Sequence, residues 1–146
     1  MSCIVAKDLM HPRVSLYAKA AGHEVVMRLM STYPALPVVD DDLRVIGVVS
    51  EYDVFTALKE GRTIHEFSAE SLMTCGHAEH GVCDTPVTVT PHTTIEDIVD
   101  LFISRNISVL PVVENGKLVG IIPRKNIINA LAERGFWKEH EFQKRV

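Results

Sequence analysis

With 146 residues, 15 basic against 19 acidic side chains and a net charge of −4, the chain is sized for one ordinary globular unit or two small interdependent ones. The charge balance argues against a nucleic-acid or anionic-membrane surface, and no segment approaches the ~18 apolar residues of a membrane span. Met1-Ser2-Cys3-Ile4 does not read as a secretory leader, and three cysteines cannot all pair, so reduced thiols in the cytoplasm are expected.

In chain order, Val14-Ser15-Leu16 reads as a short alternating strand. A helix is expected over about Ala21 to Ser31, burying Val25, Val26, Leu29 and Met30, with a weak start at Ala20-Ala21-Gly22. Ala35-Leu36-Pro37-Val38-Val39-Asp40 and Ile46-Gly47-Val48-Val49 are apolar strands joined by the acidic turn at Asp40-Asp41-Asp42. The next helix carries Tyr52, Val54, Phe55 and Leu58 and stops near Gly61. Ile64 to Met73 then leads into a second half that repeats this order. Its strand is Val87-Thr88-Val89. Its first helix has Ile95, Ile98, Val99, Phe102 and Ile103 on one face, with Thr93 and Glu96 as a capping box. Val109-Leu110-Pro111-Val112-Val113-Glu114 and Val119-Gly120-Ile121-Ile122 flank Asn115-Gly116, the strongest short hairpin signal. A last helix with Ile127, Ile128 and Leu131 stops near Gly135. The tail from Phe136, with Trp137 and Phe142, reads as a helical extension that docks or reaches a partner.

The register of the repeat is uneven. Val25 and Leu29 match Ile98 and Phe102 at a shift of 73, Leu36 matches Leu110 at 74, and Gly47 matches Gly120 at 73 again. Leu9-Met10 matches Leu72-Met73 at only 63, so the second copy carries ten extra residues near its start, read as Cys75 to Asp84. The expected fold is therefore α/β: one strand-helix-strand-strand-helix unit used twice, packed around a pseudo-twofold axis with a ligand cleft between the copies. Residues 1–66 form the first repeat, 67–135 the second with its inserted loop at 75–84, and 136–146 a C-terminal extension.

Ser50 ends a strand and Asp53 falls in the first turn of the helix after it. That spacing aims a hydroxyl and a carboxylate at one spot. A carboxylate accepts two hydrogen bonds from a ribose diol, and such charge-assisted bonds are worth about 1.5–3 kcal/mol. The competing reading is that Ser50 and Asp53 only cap the helix.

Leu-Pro-Val-Val before an acidic turn, with Gly47-Val48-Val49-Ser50-Glu51-Tyr52-Asp53 after it and both motifs recurring in order, resembles the CBS domain over about Val5 to Arg134. Two in tandem form a Bateman module. The resemblance implies a regulatory, non-catalytic module that binds an adenosine-containing ligand (AMP, ADP, ATP or S-adenosylmethionine), pairs as a homodimer, and acts on a target protein the sequence does not name. Ser50 and Asp53 match the family's ribose motif. The base is then expected against the other half, at Val87, Thr88, Ile107, Ser108 and Val109. The second copy departs from the pattern: Pro123 stands at the position of Ser50 and Asn126 at that of Asp53. Its cleft, with Val14, Ser15, Tyr33, Pro34 and Ala35 as the slot, is expected to be the weaker one. Arg124 and Lys125 either face the phosphates of the ligand on Asp53 or form a solvated helix start.

The inserted loop holds Cys75, His77, His80 and Cys83 within nine residues, a Cys2His2 set suited to zinc, with Glu79 as a substitute ligand and Gly76 and Gly81 allowing the chain to fold back. It is otherwise a polar surface loop. A nucleophilic enzyme on Cys83, His80 and Asp84 is discounted, because three residues of one glycine-rich loop lack the rigid, distant supports a triad requires. The alternatives to a nucleotide sensor are thus a metal- or redox-sensing module built on this loop, and an interaction adaptor with an empty cleft.

Overall fold

Two three-stranded sheets form the body of the protein, which the computed structural model describes for residues 4–75 and 85–133. In the first half, β2 (Leu16–Tyr17), α2 (Gly22–Ser31), β3 (Ala35–Val39), β4 (Val45–Ser50) and α3 (Glu51–Lys59) follow one another. In the second, Val89 takes the place of β2, followed by α5 (Ile95–Arg105), β5 (Val109–Glu114), β6 (Lys117–Pro123) and α6 (Arg124–Glu133). Two short leading segments complete the chain: α1 (Ala6–Leu9) with β1 (His11–Pro12), and α4 (Ala69–Leu72). The expected order of elements is present in both halves.

The hairpins form as their turn residues require. Asn115 and Gly116 both take positive φ, 54° and 78°, which lets the β5–β6 connection close in two residues. The first hairpin has five residues, 40–44, between its strands and is held by Asp40, whose Oδ1 accepts from the amides of Asp42 at 2.9 Å and Arg44 at 3.0 Å.

The leading segments change places. Ala6 and Leu9 are buried in the core of the second repeat with Ile98, Ile107 and Leu110. The Ala6 amide donates to the Thr93 carbonyl at 2.8 Å, and β1 pairs antiparallel with β6 through His11–Ile121 and Pro12–Gly120. Conversely, Phe67, Ala69 and Leu72 are buried in the core of the first repeat with Leu16, Val25 and Leu36. The Ala69 amide donates to the Ala20 carbonyl at 2.9 Å, and Thr74 bridges to Val48. The sequence division between residues 66 and 67 is one along the chain; the packing crosses it twice.

Each crossing strand lies on a glycine. A β-carbon at Gly47 would fall 2.7 Å from Met73 Sδ, and one at Gly120 would fall 2.6 Å from Met10 Sδ and 2.9 Å from the His11 carbonyl oxygen. The repeated Leu-Met and Gly motifs of the sequence are therefore two halves of one contact. Gly22 serves the same need at the start of α2, where a β-carbon would collide with the Ile64 carbonyl. This explains the weak helix start: Ala21 provides no side-chain cap, and the position is set by close passage of the chain at residues 64–67.

A third cluster joins the two sheets: Ala35, Val39 and Val48 from the first, Val109, Leu118 and Ile121 from the second. The Leu118 amide donates to the Leu43 carbonyl at 2.9 Å and ties one hairpin to the other.

Three local expectations shift. Met30, expected inside, is exposed on α2, whose buried residues are Gly22, Val25 and Leu29. The cap of α5 is Thr94, whose Oγ1 accepts from the Asp97 amide at 3.3 Å, because Thr93 is occupied one turn earlier in accepting from the Thr90 amide at 3.1 Å. In α3 the buried residues are Asp53, Val54 and Ala57, whereas Tyr52, Phe55 and Leu58 are exposed. Gly61 ends α3 at φ 87° as expected; Gly135 and the tail with Trp137 and Phe142 lie outside the described residues. Among the described residues no helix is long and apolar enough to cross a membrane.

The glycine contacts are testable by thermal unfolding. Gly120→Ala should cost about 1–3 kcal/mol of overpacking, because a backbone oxygen that cannot swing aside blocks the new methyl. For a chain of this size that lowers the melting temperature by roughly 2–4 °C per kcal/mol. An unchanged melting temperature would show that Met10 and His11 do not pack on this strand.

Candidate functional site

Ser50 ends β4 beside Ala35, and the Glu51 amide donates to the Pro34 carbonyl at 3.0 Å, which swings the chain into α3. Ser50 caps that helix: its Oγ accepts from the Asp53 amide at 3.3 Å. Asp53 answers by accepting on Oδ2 from the Ser50 amide at 2.8 Å and from the Ser50 hydroxyl at 3.1 Å. The capping reading is therefore correct as far as it goes. A cap, however, is ordinarily exposed, and Asp53 is not: at 6% exposure it is the one buried charged residue among the described residues.

A third donor reaches the same oxygen. Thr74 Oγ1 lies 3.4 Å from Asp53 Oδ2, a long bond, brought there by the bridge in which Val48 and Thr74 exchange amide–carbonyl bonds at 2.8 Å each. Thr74 belongs to the exchanged leading segment, so residues of both repeats meet at this carboxylate. Sequence reasoning missed Thr74. The signal that points to it is the Leu-Met duplication, which sets Thr74 at the position of His11. The carboxylate faces a cavity of about 180 Å³ lined by Asp53, Thr56, Arg62, Ser71, Met73 and Thr74, among others.

The expected base slot is not on that cavity's described wall. Val87 is half-buried against the second core, Ile107 is buried within it, and Val109 is buried in the cluster between the sheets. Thr88 is exposed on a separate groove of about 660 Å³ beside α5, with Asp97, Asp100 and Ser104. The Ser108 carbonyl accepts the Arg124 amide at 3.0 Å, the counterpart of the Pro34–Glu51 bond.

In the other cleft, Ala35 is buried between the sheets, Val14 packs at the edge of the same cluster, and Pro34 is exposed. The Ser15 carbonyl accepts from the Arg28 guanidinium at 3.5 Å, and Tyr33 sets its ring 6.3 Å from that of His11. Asn126 is half-buried in the first turn of α6, and Arg124 and Lys125 are exposed beside it.

Of the expected metal ligands, His77, His80 and Cys83 lie outside the described residues. Cys75 is disulfide-bonded, and its sulfur lies 3.4 Å from the Thr85 carbonyl oxygen, so the inserted segment leaves and returns at one place. A disulfide sulfur is not the thiolate that zinc requires, so a metal at Cys75 and this disulfide exclude one another.

A duplicated α/β unit, sharing leading segments and holding a buried carboxylate at the junction, defines a paired module. The family is shown directly: the CBS-domain model matches residues 6–60 and 81–133, and the chain belongs to the CBS-domain family as a CBS pair, a regulatory module. It is similar to the chloroplastic CBS domain-containing protein CBSX2 of Arabidopsis thaliana, 27% identical over 84% of this chain and 61% of that protein, so it spans less than two thirds of that relative. A crystal structure of CBSX2 in complex with AMP superimposes with a TM-score of 0.73 at 27% identity, covering 89% of this chain and 97% of that one. Two further structures, each 20% identical, share the fold. The CBS pair of MJ0100, solved with 5-methylthioadenosine and S-adenosylmethionine, gives a TM-score of 0.75 over 91% of this chain and 99% of that one. Hypoxic Response Protein I, with two coordinated zinc ions, gives 0.73 over 86% and 98%.

The capping role yields its own check. Ser50→Ala removes the side-chain cap and should cost about 1 kcal/mol of stability. Asp53→Asn keeps the shape and loses the charge that takes the two Ser50 bonds, so it should cost at least as much. Chemical denaturation curves for both variants matching wild type would show that the pair carries no structural weight.

Proposed function

We propose that the module senses an adenosine-containing ligand, with Ser50, Asp53 and Thr74 holding the ribose. The observation that carries this is the buried Asp53 carboxylate on an open cavity, whose Oδ2 accepts from the Ser50 amide and from the Ser50 and Thr74 hydroxyls. A ribose diol supplies the same kind of donor as the Ser50 and Thr74 hydroxyls. The complex of CBSX2 with AMP supports a nucleotide for this chain; AMP, ADP, ATP and S-adenosylmethionine are the class within which the ligand falls. The cavity is below the usual range of about 300–1,000 Å³ for small-molecule sites, so it suits the sugar; of the residues expected against the base, Val87, Thr88, Ile107, Ser108 and Val109, Ile107 and Val109 are buried and Thr88 lines a separate groove, so a base meets this half only at its accessible backbone and edges. In this reading Arg124 and Lys125 flank the ligand, and the chain senses rather than catalyses.

Isothermal titration tests it. Asp53→Ala should weaken adenine-nucleotide binding by about 10–100-fold, the equivalent of one or two charge-assisted hydrogen bonds. Equal affinity in wild type and variant would remove Asp53 from the site. The same titration bears on the second cleft. Pro123 has no hydroxyl and Asn126 no charge, so the cleft at Val14, Ser15, Tyr33, Pro34 and Ala35 should bind about 10–100-fold more weakly. Two equivalent tight sites per chain would contradict that asymmetry.

The exposed apolar side chains support a homodimer. Met30 and Ile103 are 81% and 77% exposed, and Met27, Tyr52, Phe55 and Leu58 extend the face over α2 and α3. A twofold pairing would bury them. Sedimentation at tens of micromolar should give a dimer, and a monomer throughout that range would refute it. No nucleic-acid or membrane partner is part of this reading; an unidentified target protein is.

The disulfide at Cys75 favours one second reading, a metal- or redox-sensing role for the inserted loop. It also weighs against the reducing cytoplasmic setting expected from the sequence, which stays part of the proposal. Zinc retained after reduction by untagged protein would support the metal version, and its absence after zinc is supplied would end it. An interaction adaptor with an empty cleft has no observation in its favour.

A further inference from the structure

The cavity that holds Asp53 also holds a cation, Arg62, that no carboxylate of the described residues pairs with. Helix α3 ends in a reversal at Gly61, where the Gly61 amide donates to the Leu58 carbonyl at 3.0 Å and the Arg62 amide to the Ala57 carbonyl at 3.1 Å. The reversal turns Arg62 back toward α4. Its guanidinium donates to Ser71 Oγ at 3.2 Å and lies 5.9 Å from the centroid of the Phe67 ring. These are its contacts among the described residues, and no carboxylate there comes within ion-pairing reach. Ser71 is fixed in turn, its Oγ accepting from the Ser68 amide at 2.8 Å and donating to the Ser68 carbonyl at 2.9 Å.

Arg62 is thus half-buried, its guanidinium aimed by a hydroxyl and an aromatic face, with no counter-ion among the described residues. Arg62 lines the same cavity as Asp53, with Thr56, Ser71 and Thr74. Asp53, Thr56, Ala57 and Glu60 form the α3 wall between them, a stripe about 10 Å long at 1.5 Å per residue. Glu60 is exposed and makes no ion pair with Arg62. A fixed guanidinium presents planar paired donors that match a phosphate, and its low hydration suits a partly enclosed site.

We propose that Arg62 is a specificity-determining residue of this site: it receives the anionic phosphate chain of the ligand whose ribose Asp53 holds. The site then selects phosphorylated nucleosides over adenosine and over the cationic sulfonium of S-adenosylmethionine. The inference rests on the nucleotide reading above.

Titration of the full chain with adenosine, AMP, ADP and S-adenosylmethionine tests it. Wild type should bind its best phosphorylated ligand at least about tenfold more tightly than adenosine, as one charge-assisted contact implies. Arg62→Gln should erase that advantage while leaving adenosine affinity unchanged. Arg62→Lys, which keeps the charge and the stacking on Phe67 but loses the planar fork, should retain part of it, and it serves as the readout if Arg62→Gln does not fold. A phosphate advantage untouched by either substitution, or an equal loss for adenosine and nucleotides, overturns the proposal and leaves the nucleotide reading standing. Wild type that binds none of the four compounds overturns both.

Discussion

The exchange of leading segments is the contact on which the rest of the structure depends. Met10 lies on Gly120 and Met73 on Gly47, and in each case a single methyl on the glycine would displace the crossing chain. The crossing supplies α1 to the second core and α4 to the first, so neither repeat completes its core from its own consecutive residues. It also delivers Thr74 to Asp53. The site at the carboxylate is consequently a product of the exchange, and a change in how residues 64–74 sit on β4 alters the carboxylate's surroundings directly.

The cluster between the sheets fixes the second relation. Ala35, Val48, Val109 and Ile121 are buried from one repeat against the other, with the Leu43–Leu118 backbone bond at one edge. At the start of each C-terminal helix the backbone is tied in the same way, by Glu51 to Pro34 and by Arg124 to Ser108, both at 3.0 Å. Each helix start is therefore tied to the strand residue beside it, and Ser50 and Asp53 take their positions from that tie.

Much of this was legible in the sequence, because a repeat lets each half calibrate the other. The hairpins followed from Asn115-Gly116 and the aspartate turn, their strands from continuous apolar runs, and Ser50 with Asp53 from their spacing. What escaped was whatever depends on the partner across the exchange. Leu-Met and Gly were visible as repeated motifs, but not as one contact, since a residue-by-residue reading has no means of seeing a packing partner some 26 positions away in one half and 110 in the other. Thr74 and Arg62 were hidden for the same reason: both matter through what they face. Periodicity misled at α3, where Tyr52, Phe55 and Leu58 look like a core stripe and instead lie outside, the buried stripe being Asp53, Val54 and Ala57.

The divergence of the two repeats falls where the fold does not demand it. Helix α3 begins with Glu51 and Asp53, acids at the positive end of a helix dipole, whereas α6 begins with Arg124 and Lys125 and has no acid in its first turn. Cations at that end oppose the dipole by up to about 1 kcal/mol. The backbone nonetheless enters both helices through the same bond, so this charge inversion is not needed to make α6 form. Nor is it compensated by the chain: Pro123, at the position of Ser50, is buried in its pairing with Val109 and brings no side-chain donor. Around the cleft the inversion is consistent. Asp53 is matched by Asn126, Ser50 by Pro123, and Thr74 by His11, whose ring sits against Tyr33. A duplicated unit that preserves its packing contacts in both copies, yet changes the side chains at Ser50, Asp53 and Thr74 to Pro123, Asn126 and His11, has kept the scaffold fixed and altered the polar surroundings of one helix start.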